Sequence, residues 1–251
     1  MSEAKVTAVK RPDNPAALYI EFQNESSLNA FTINMWRELI SLLREARKDD
    51  DVRVIVLRGA GEKAFSAGLA MEMLDELKSD EDYALMHTLG MEVRECIFNM
   101  EKPVIAAVNG YCIGGGFEIT LCCDLVYASE GSKFGLPELN IGLVPGCGGA
   151  IHLPKKIPSN RAFEMILLGE RMKAEEAKSY GLVNKIFPKE TFFEEVDKIV
   201  DKISHSAPLA VKGLKELMSH SNLSGDESAA LLAERRLSID LMGSEDFKNA
   251  V

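Results

Sequence analysis

Glu118 and Glu138 stand 20 residues apart, each inside its own turn marked by glycine or proline. The first ends the run Asn109-Gly-Tyr-Cys-Ile-Gly-Gly-Gly-Phe-Glu118, and the second follows Phe134-Gly-Leu-Pro137. Two carboxylates on rigid turns, beside backbone stripped of side chains, suit proton transfer to and from a carbonyl compound. Phe117, Ile119, Leu121 and Cys122 surround Glu118 in sequence and imply a partly dehydrated carboxylate with a raised pKa. Taken singly, Glu118 is equally a first-turn carboxylate that complements a helix dipole. Glu138 alone reads as a solvated loop residue. The pair is more informative than either member.

The glycine run before Glu118 is the second candidate. Gly114, Gly115 and Gly116 follow an apolar strand and open a helix, so a ligand can approach the backbone and meet unblocked N–H groups. Three uses fit: a phosphate cradle, an oxyanion hole, or tight helix–strand packing. The run is not G-x-G-x-x-G and no G-K-[ST] follows, so the nucleotide fingerprints fail. Ser66-Ala67-Gly68 also follows a strand and a glycine turn. Two such segments could each give one N–H to the same carbonyl oxygen.

These residues need elements to hold them. Alternation over 16–22 predicts a strand, and Ile33, Trp36, Leu39, Ile40 and Leu43 recur at helical spacing behind Thr32, a fair N-cap. Strands are predicted at 52–57, 103–108 and 124–128, the second apolar enough to be buried on both faces. The stretch 69–100 reads as helical with a break near 79–82, and a short helix is predicted over 115–122. Glycine and proline are dense over 131–158, which predicts a loop system. Beyond residue 160 the pattern is helical at 160–168, 174–179, 191–205, 208–219 and 226–242, with a strand at 183–187. Two regions are expected, 1–159 and 160–251. Strand, glycine turn and helix recur around 54–72 and 104–120, a faint internal echo that suggests stacked units.

Composition sets outer limits. A chain of 251 residues, 46% apolar and 27% charged, can bury a sizeable core. A net charge of −10 argues against general nucleic-acid binding, though it allows a local anion site. The five cysteines, Cys96, Cys112, Cys122, Cys123 and Cys147, are odd in number and show no C-x-x-C spacing, so buried thiols in a reducing compartment are expected and a zinc site is not. The first residues carry no signal core or Arg-rich presequence, and no apolar run reaches a membrane span of about 20 residues. A cytoplasmic location is expected.

Several segments together resemble the crotonase superfamily, most closely its enoyl-CoA hydratases. They are Val54-Ile-Val-Leu-Arg-Gly59, Lys63-Ala-Phe-Ser-Ala-Gly68, Lys102-Pro-Val-Ile-Ala-Ala-Val-Asn-Gly110, Gly114-Gly-Gly-Phe-Glu118, Cys123-Asp-Leu125, Phe134-Gly-Leu-Pro-Glu138 and Gly142-Leu-Val-Pro-Gly-Cys-Gly-Gly149. Their order and spacing fit essentially the whole chain. The resemblance implies an α/β fold, a spiral of repeated β-β-α units followed by a helical region used in trimerisation. It also implies an acyl-CoA substrate, with coenzyme A entering only as part of that substrate and with no metal. The N–H groups of Leu69 and Gly115 would form the oxyanion hole, and Glu118 and Glu138 would be the acid–base pair. Asn29, Ala30, Lys63, Ala67 and Gly114 would contact coenzyme A. Met71, Met73, Leu74, Leu77, Met86 and Leu89, with Pro137 and Gly146, would line the acyl pocket, core packing being the competing use of the apolar ones. A homotrimer or a dimer of trimers is implied.

Retention of both glutamates favours hydration of a 2-enoyl thioester, since isomerases of this superfamily commonly keep only the position of Glu138. The competing expectations are an enoyl-CoA isomerase, a cyclic dienoyl-CoA hydratase, an acyl-CoA hydrolase or decarboxylase, and a catalytically idle CoA-binding subunit. Leu69-Ala70 stands where relatives have Ala-Asp, which puts the pocket shape in question. Ser26-Ser27-Leu28 lacks the basic residue found before Asn-Ala in relatives, so the CoA phosphates are expected to lean on Lys63 or other lysines. Ala150-Ile-His-Leu153 replaces Thr-Gln-Arg-Leu, and His152 is expected to pack or meet a subunit. His87, His205 and His220 are expected in solvent. Relatives continue past the position of Val251 with a basic, aromatic tail, so weaker CoA binding is expected.

Overall fold

The computed structural model describes residues 4–76, 78–224 and 227–250. Strands β1 (Lys5–Arg11) and β2 (Asn14–Gln23) pair as an antiparallel hairpin and lead to helix α1 (Ile33–Lys48). The Thr32 hydroxyl accepts from the Met35 N–H at 3.2 Å and caps the helix start. Its other end is closed by the Lys102 ammonium, which donates to the carbonyls of Ala46 at 2.6 Å and Asp49 at 2.5 Å. Met35, Trp36, Leu39, Ile40 and Leu43 are all buried, so the helical spacing is a core face.

Three β-β-α units follow. The first is β3 (Val54–Gly59), β4 (Ala64–Ser66), then α2 (Met71–Glu76) and α3 (Asp80–Phe98). The second is β5 (Val104–Val108), β6 (Tyr111–Ile113) and α4 (Gly115–Cys122). The third is β7 (Leu125–Ser129), β8 (Lys133–Gly135), then α5 (Gly149–Lys156) and α6 (Ser159–Leu168). The remainder is β9 (Arg171–Lys173), α7 (Ala174–Ser179), β10 (Lys185–Phe187), α8 (Phe192–Ser204), α9 (Pro208–Ser224), α10 (Glu227–Met242) and α11 (Glu245–Ala250).

Each unit gives its first strand to one sheet and its second to another, so the chain winds as a spiral. The larger sheet runs β1-β2-β3-β5-β7-β10 and the smaller β4-β6-β8-β9. All neighbours from β2 onward are parallel in the larger sheet, while β9 returns antiparallel to β8 in the smaller. Parallel pairs need crossovers, which the intervening strand and helix supply. Alternate residues decide the faces of the larger sheet. Ile20, Ile55, Leu57, Val104 and Ala106 point into the main core. Tyr19, Val54, Val56, Ile105 and Ala107 point outward and are covered by Phe192, Val196 and Val200 of α8. Both faces are buried, which explains the apolar strands.

The strand expected at 183–187 is present as β10 (Lys185–Phe187), and the segment 160–251 also holds β9, which the sequence pattern does not predict. This segment returns β9 to the smaller sheet and β10 to the larger, and α8 covers the larger sheet's outer face. A division at residue 159 therefore cuts through both sheets. The stretch 131–158 is not wholly loop either, because α5 forms inside it. Its glycine start and its internal Pro154 hide a helix from composition. Among the described residues no helix is long and apolar enough to cross a membrane.

Candidate active site

The site forms where the parallel strands β4, β6 and β8 end side by side. Gly114 takes a φ of +56°, which glycine tolerates, and its N–H donates to the Gly135 carbonyl at 2.9 Å. That turn aims α4 against the segment after β4. Contact is so close that a Cβ on Gly116 would sit 2.7 Å from the Ser66 carbonyl oxygen. A Cβ on Gly68 would sit 3.0 Å from the Gly115 nitrogen. The two glycine turns thus meet backbone to backbone.

This contact sets two N–H groups on one rim. Phe31 pairs with Leu69 as an isolated parallel bridge: the Phe31 N–H donates to Gly68 at 2.6 Å and the Ala70 N–H to Phe31 at 2.9 Å. In such a bridge the Leu69 N–H points away from Phe31. Gly115 is the first residue of α4, where an N–H has no intrahelical acceptor and the helix adds positive potential. Neither N–H is a donor in the described loop and turn hydrogen bonds.

Glu118, one turn into α4, is 3% exposed. Its Oε1 accepts from the Cys147 N–H at 2.7 Å and the Gly149 N–H at 2.8 Å. Burial pushes its pKa up, and these two donors pull against that rise. Glu138 opens a short 3-10 turn over Glu138–Ile141. Its Oε2 is buried without a hydrogen-bond partner. Burial pushes its pKa up to about 7, and the charge of Glu118 adds to the rise. A Cβ on Gly114 would lie 3.2 Å from Glu138 Oε1, so that glycine also makes room for the second carboxylate.

Both glutamates, Leu69 and Gly115 line one cavity of about 360 Å³. Ala67, Met71, Gly114, Pro137 and Gly146 line it too, as does Met86. Leu89 is buried in the main core instead. Met73 is not on the cavity wall. The Leu74 side chain and Leu77 lie outside the described residues.

Asn29, Ala30 and Lys63 do not reach this cavity. Asn29 is 1% exposed, and its amide is committed internally: it donates to Ala60 and Ala64 at 2.9 and 2.8 Å and accepts from the Asn24 N–H at 3.0 Å. Its side chain therefore clamps the turn before β4, with both amide N–H donors used. The Ala30 carbonyl accepts from Asn24 at 2.8 Å, within the same turn. Lys63 is exposed, and its carbonyl accepts from the Tyr111 N–H at 3.0 Å.

Sequence reasoning missed several residues here. Trp36, read as core, shows one edge to the cavity. His87, expected in solvent, is exposed but also lines the cavity, with Asn140 and Cys147. Cys147 contributes a backbone N–H, and the only available signal was the density of glycine around it. His152 is buried and packs against Phe98, with ring centroids 5.8 Å apart. A wider cleft of about 570 Å³, bordered by Asp50, Arg53, His205 and Asp246, is broadly open and brings together no buried carboxylates.

The chain matches the family described as enoyl-CoA hydratase/isomerase over residues 13–251. It is 36% identical over 206 residues to the carnitinyl-CoA dehydratase of Proteus mirabilis, covering 81% of this chain and 78% of that one. The fold matches the enoyl-CoA hydratase of Bacillus anthracis with a TM-score of 0.90 and 31% identity, over 96% of this chain and 92% of that one. It matches Pseudomonas aeruginosa DspI with a TM-score of 0.91 and 28% identity, over 97% and 91% of the two chains.

Proposed function

The chain belongs to the enoyl-CoA hydratase/isomerase family, and from that premise we propose that it adds water reversibly across the 2,3 double bond of a 2-enoyl-CoA thioester. The observation that carries this reading is that one buried and one half-buried carboxylate share a cavity with the Leu69 and Gly115 N–H groups, neither of them a donor in the described loop and turn hydrogen bonds. The thioester oxygen sits between the Leu69 and Gly115 N–H groups. As water attacks C3, the negative charge moves onto that oxygen, and preorganised donors of this type are each worth about 3–4 kcal/mol. Glu118, fixed as a hydrogen-bond acceptor, takes a proton from the attacking water. Glu138, whose unpartnered oxygen favours the protonated form, delivers a proton to C2. The sum is one water added; Glu118 ends protonated and Glu138 ionised, proton exchange with solvent resets the pair, and the reverse sequence dehydrates a 3-hydroxyacyl-CoA. Isomerisation needs only one carboxylate to carry a proton between two carbons; the second gives water a partner.

Crotonyl-CoA loss, followed by the absorbance of the conjugated thioester, tests this directly. Turnover by the wild type that collapses in both Glu118→Gln and Glu138→Gln supports it. Binding without turnover rules out short-chain enoyl hydration and leaves a polar or cyclic substrate, isomerisation or an idle CoA-binding subunit.

Two observations favour a narrower substrate. Besides the two glutamates, His87 and Asn140 bring polar side chains to the cavity, and the chain is similar to carnitinyl-CoA dehydratases. We infer a polar acyl group, carnitinyl-CoA being the first to try. A kcat/KM for carnitinyl-CoA below that for 3-hydroxybutyryl-CoA would remove this reading and leave the general one intact. No resident cofactor or metal enters either scheme. We also infer a homotrimer or dimer of trimers in a reducing cytoplasm. Ile151, Phe163, Leu167 and Leu168 expose an apolar face on α5 and α6, and all five cysteines are free thiols. A monomer mass by sedimentation would refute the first inference, and export in a fractionated native host the second.

A further inference from the structure

The loop that holds Glu118 is itself held by one helix. His87, Gly90, Arg94 and Phe98 follow one another at helical spacing on α3, so they share a face. Each meets the next part of the loop 146–152. A Cβ on Gly146 would lie 3.8 Å from His87 Cδ2, and a Cβ on Gly90 only 2.2 Å from Cys147 Sγ. The Arg94 Nε–H donates to His152 Nε2 at 3.1 Å. Gly148 lies under both: its Cβ would be 2.8 Å from His152 Cδ2 and 3.4 Å from Arg94 Nε. The Arg94 guanidinium covers the Phe98 ring at 5.4 Å. From this same loop come the Cys147 and Gly149 N–H groups that orient Glu118.

We propose that this face of α3 is a template for the Glu118 carboxylate, with the Arg94–His152 hydrogen bond as its polar pin. Arg94 and His152 are positioning residues: they act through the loop and are not on the cavity wall. Arginine can only donate, so His152 Nε2 must be the acceptor and the ring must be neutral with its proton on Nδ1. Burial and the nearby Arg94, Lys155 and Lys156 hold its pKa down, in keeping with that form. Sub-ångström placement of a catalytic carboxylate is worth protecting, since a shift of about 1 Å can cost roughly 100-fold in rate.

The proposal rests on the hydratase reading for its kinetic arm, and a second arm is independent of it. In the first, His152→Leu and Arg94→Leu each lower kcat by about 10- to 100-fold with KM within about threefold. His152→Gln, whose amide oxygen can accept from Arg94, recovers most of that loss. Trp36 is the only tryptophan and lines the cavity, so its fluorescence reports acyl-CoA binding in every variant. In the second arm, hydrogen exchange at the 146–150 amides speeds up about tenfold in His152→Leu while 104–108 stays protected. A loss confined to KM, an equal loss in His152→Gln, or unchanged exchange at 146–150 would overturn the template. Should wild-type protein turn over no enoyl- or 3-hydroxyacyl-CoA, the functional reading fails and the exchange arm alone decides this one.

Discussion

Two carboxylates face the same cavity from opposite situations. Glu118 sits on a regular helix, nearly inaccessible, with one oxygen held by two backbone N–H groups. Glu138 sits at the start of a four-residue 3-10 turn, with one buried oxygen held by nothing. Burial raises the pKa of both; Glu118 has the Cys147 and Gly149 N–H groups pulling against that rise, whereas Glu138 has only its own backbone N–H. Identical side chains are thereby pushed toward different protonation states, as the proposed base and acid require. The lesson is that the assignment lies in the donors. Those donors come from a loop about 30 residues further along the chain from Glu118.

Removing each charge in turn is the strongest way to break the comparison. Glu118→Gln and Glu138→Gln should each lower kcat for hydration by about 10²–10⁴-fold, with little change in KM. Glutamine at 118 keeps an oxygen for the Cys147 and Gly149 N–H groups, so Glu118→Gln should fold normally. Glu118→Ala leaves two buried donors unpaired and should also lower stability, by about 1–3 kcal/mol for each orphan. Equal stability of Glu118→Gln and Glu118→Ala in denaturant would show that the two hydrogen bonds do not fix this carboxylate.

Acidity sharpens the contrast at a smaller scale. If protonated Glu138 is the acid, kcat/KM falls above an apparent pKa of about 7, and Glu138→Gln lacks that limb. The same shift makes a stability prediction. The folded pKa of about 7 exceeds the ordinary 4.5, so the folded state binds the proton more tightly. Stability then falls as pH rises from about 4.5 to 7 and is flat above. Glu138→Gln should therefore be the more stable protein at pH 8, by about 2 kcal/mol after allowance for partial exposure, and show no advantage at pH 4. Thermal melts of both proteins at the two pH values check this, and an advantage at pH 4 alone would reverse the sign.

The legible parts of the molecule were those with long-period signals. The α1 stripe, the apolar run of β5 and the α4 segment behind its glycines all declared themselves. The strands of the smaller sheet did not: β4, β6, β8 and β9 are too short for alternation to show, although they build the sheet that carries the site. Glu118 and Glu138 were legible through their glycine and proline settings. The roles of Cys147 and Gly149 were not, because a backbone donor leaves no side-chain trace. The setting of Asn29 was not legible either: the resemblance implied a coenzyme A contact there, and the structure adds a φ of +55° and three internal hydrogen bonds that make its side chain a turn clamp. Asparagine is among the few residues suited to that backbone.

The mildest perturbation tests the Glu118 side of the comparison alone. Gly90 lies in the interior of α3, where alanine would favour the helix by about 1 kcal/mol. Its new Cβ would fall 2.2 Å from Cys147 Sγ but an ordinary 3.7 Å from Cys147 Cβ, so only the sulfur is in the way. The sulfur must move, and that thiol is itself a hydrogen-bonding neighbour of Glu118. Gly90→Ala should thus lower kcat by roughly tenfold while leaving the alkaline limb near pH 7, since nothing at Glu138 changes. In a Cys147→Ala background the obstruction is gone, and adding Gly90→Ala should have almost no further effect on kcat. That double-mutant cycle separates a steric path through one sulfur from a general disturbance of the helix. If Gly90→Ala costs the same with and without the sulfur, α3 does not reach Glu118 through Cys147. If instead the limb near pH 7 shifts, the two carboxylates share one frame and the contrast between them is weaker than their hydrogen bonds imply.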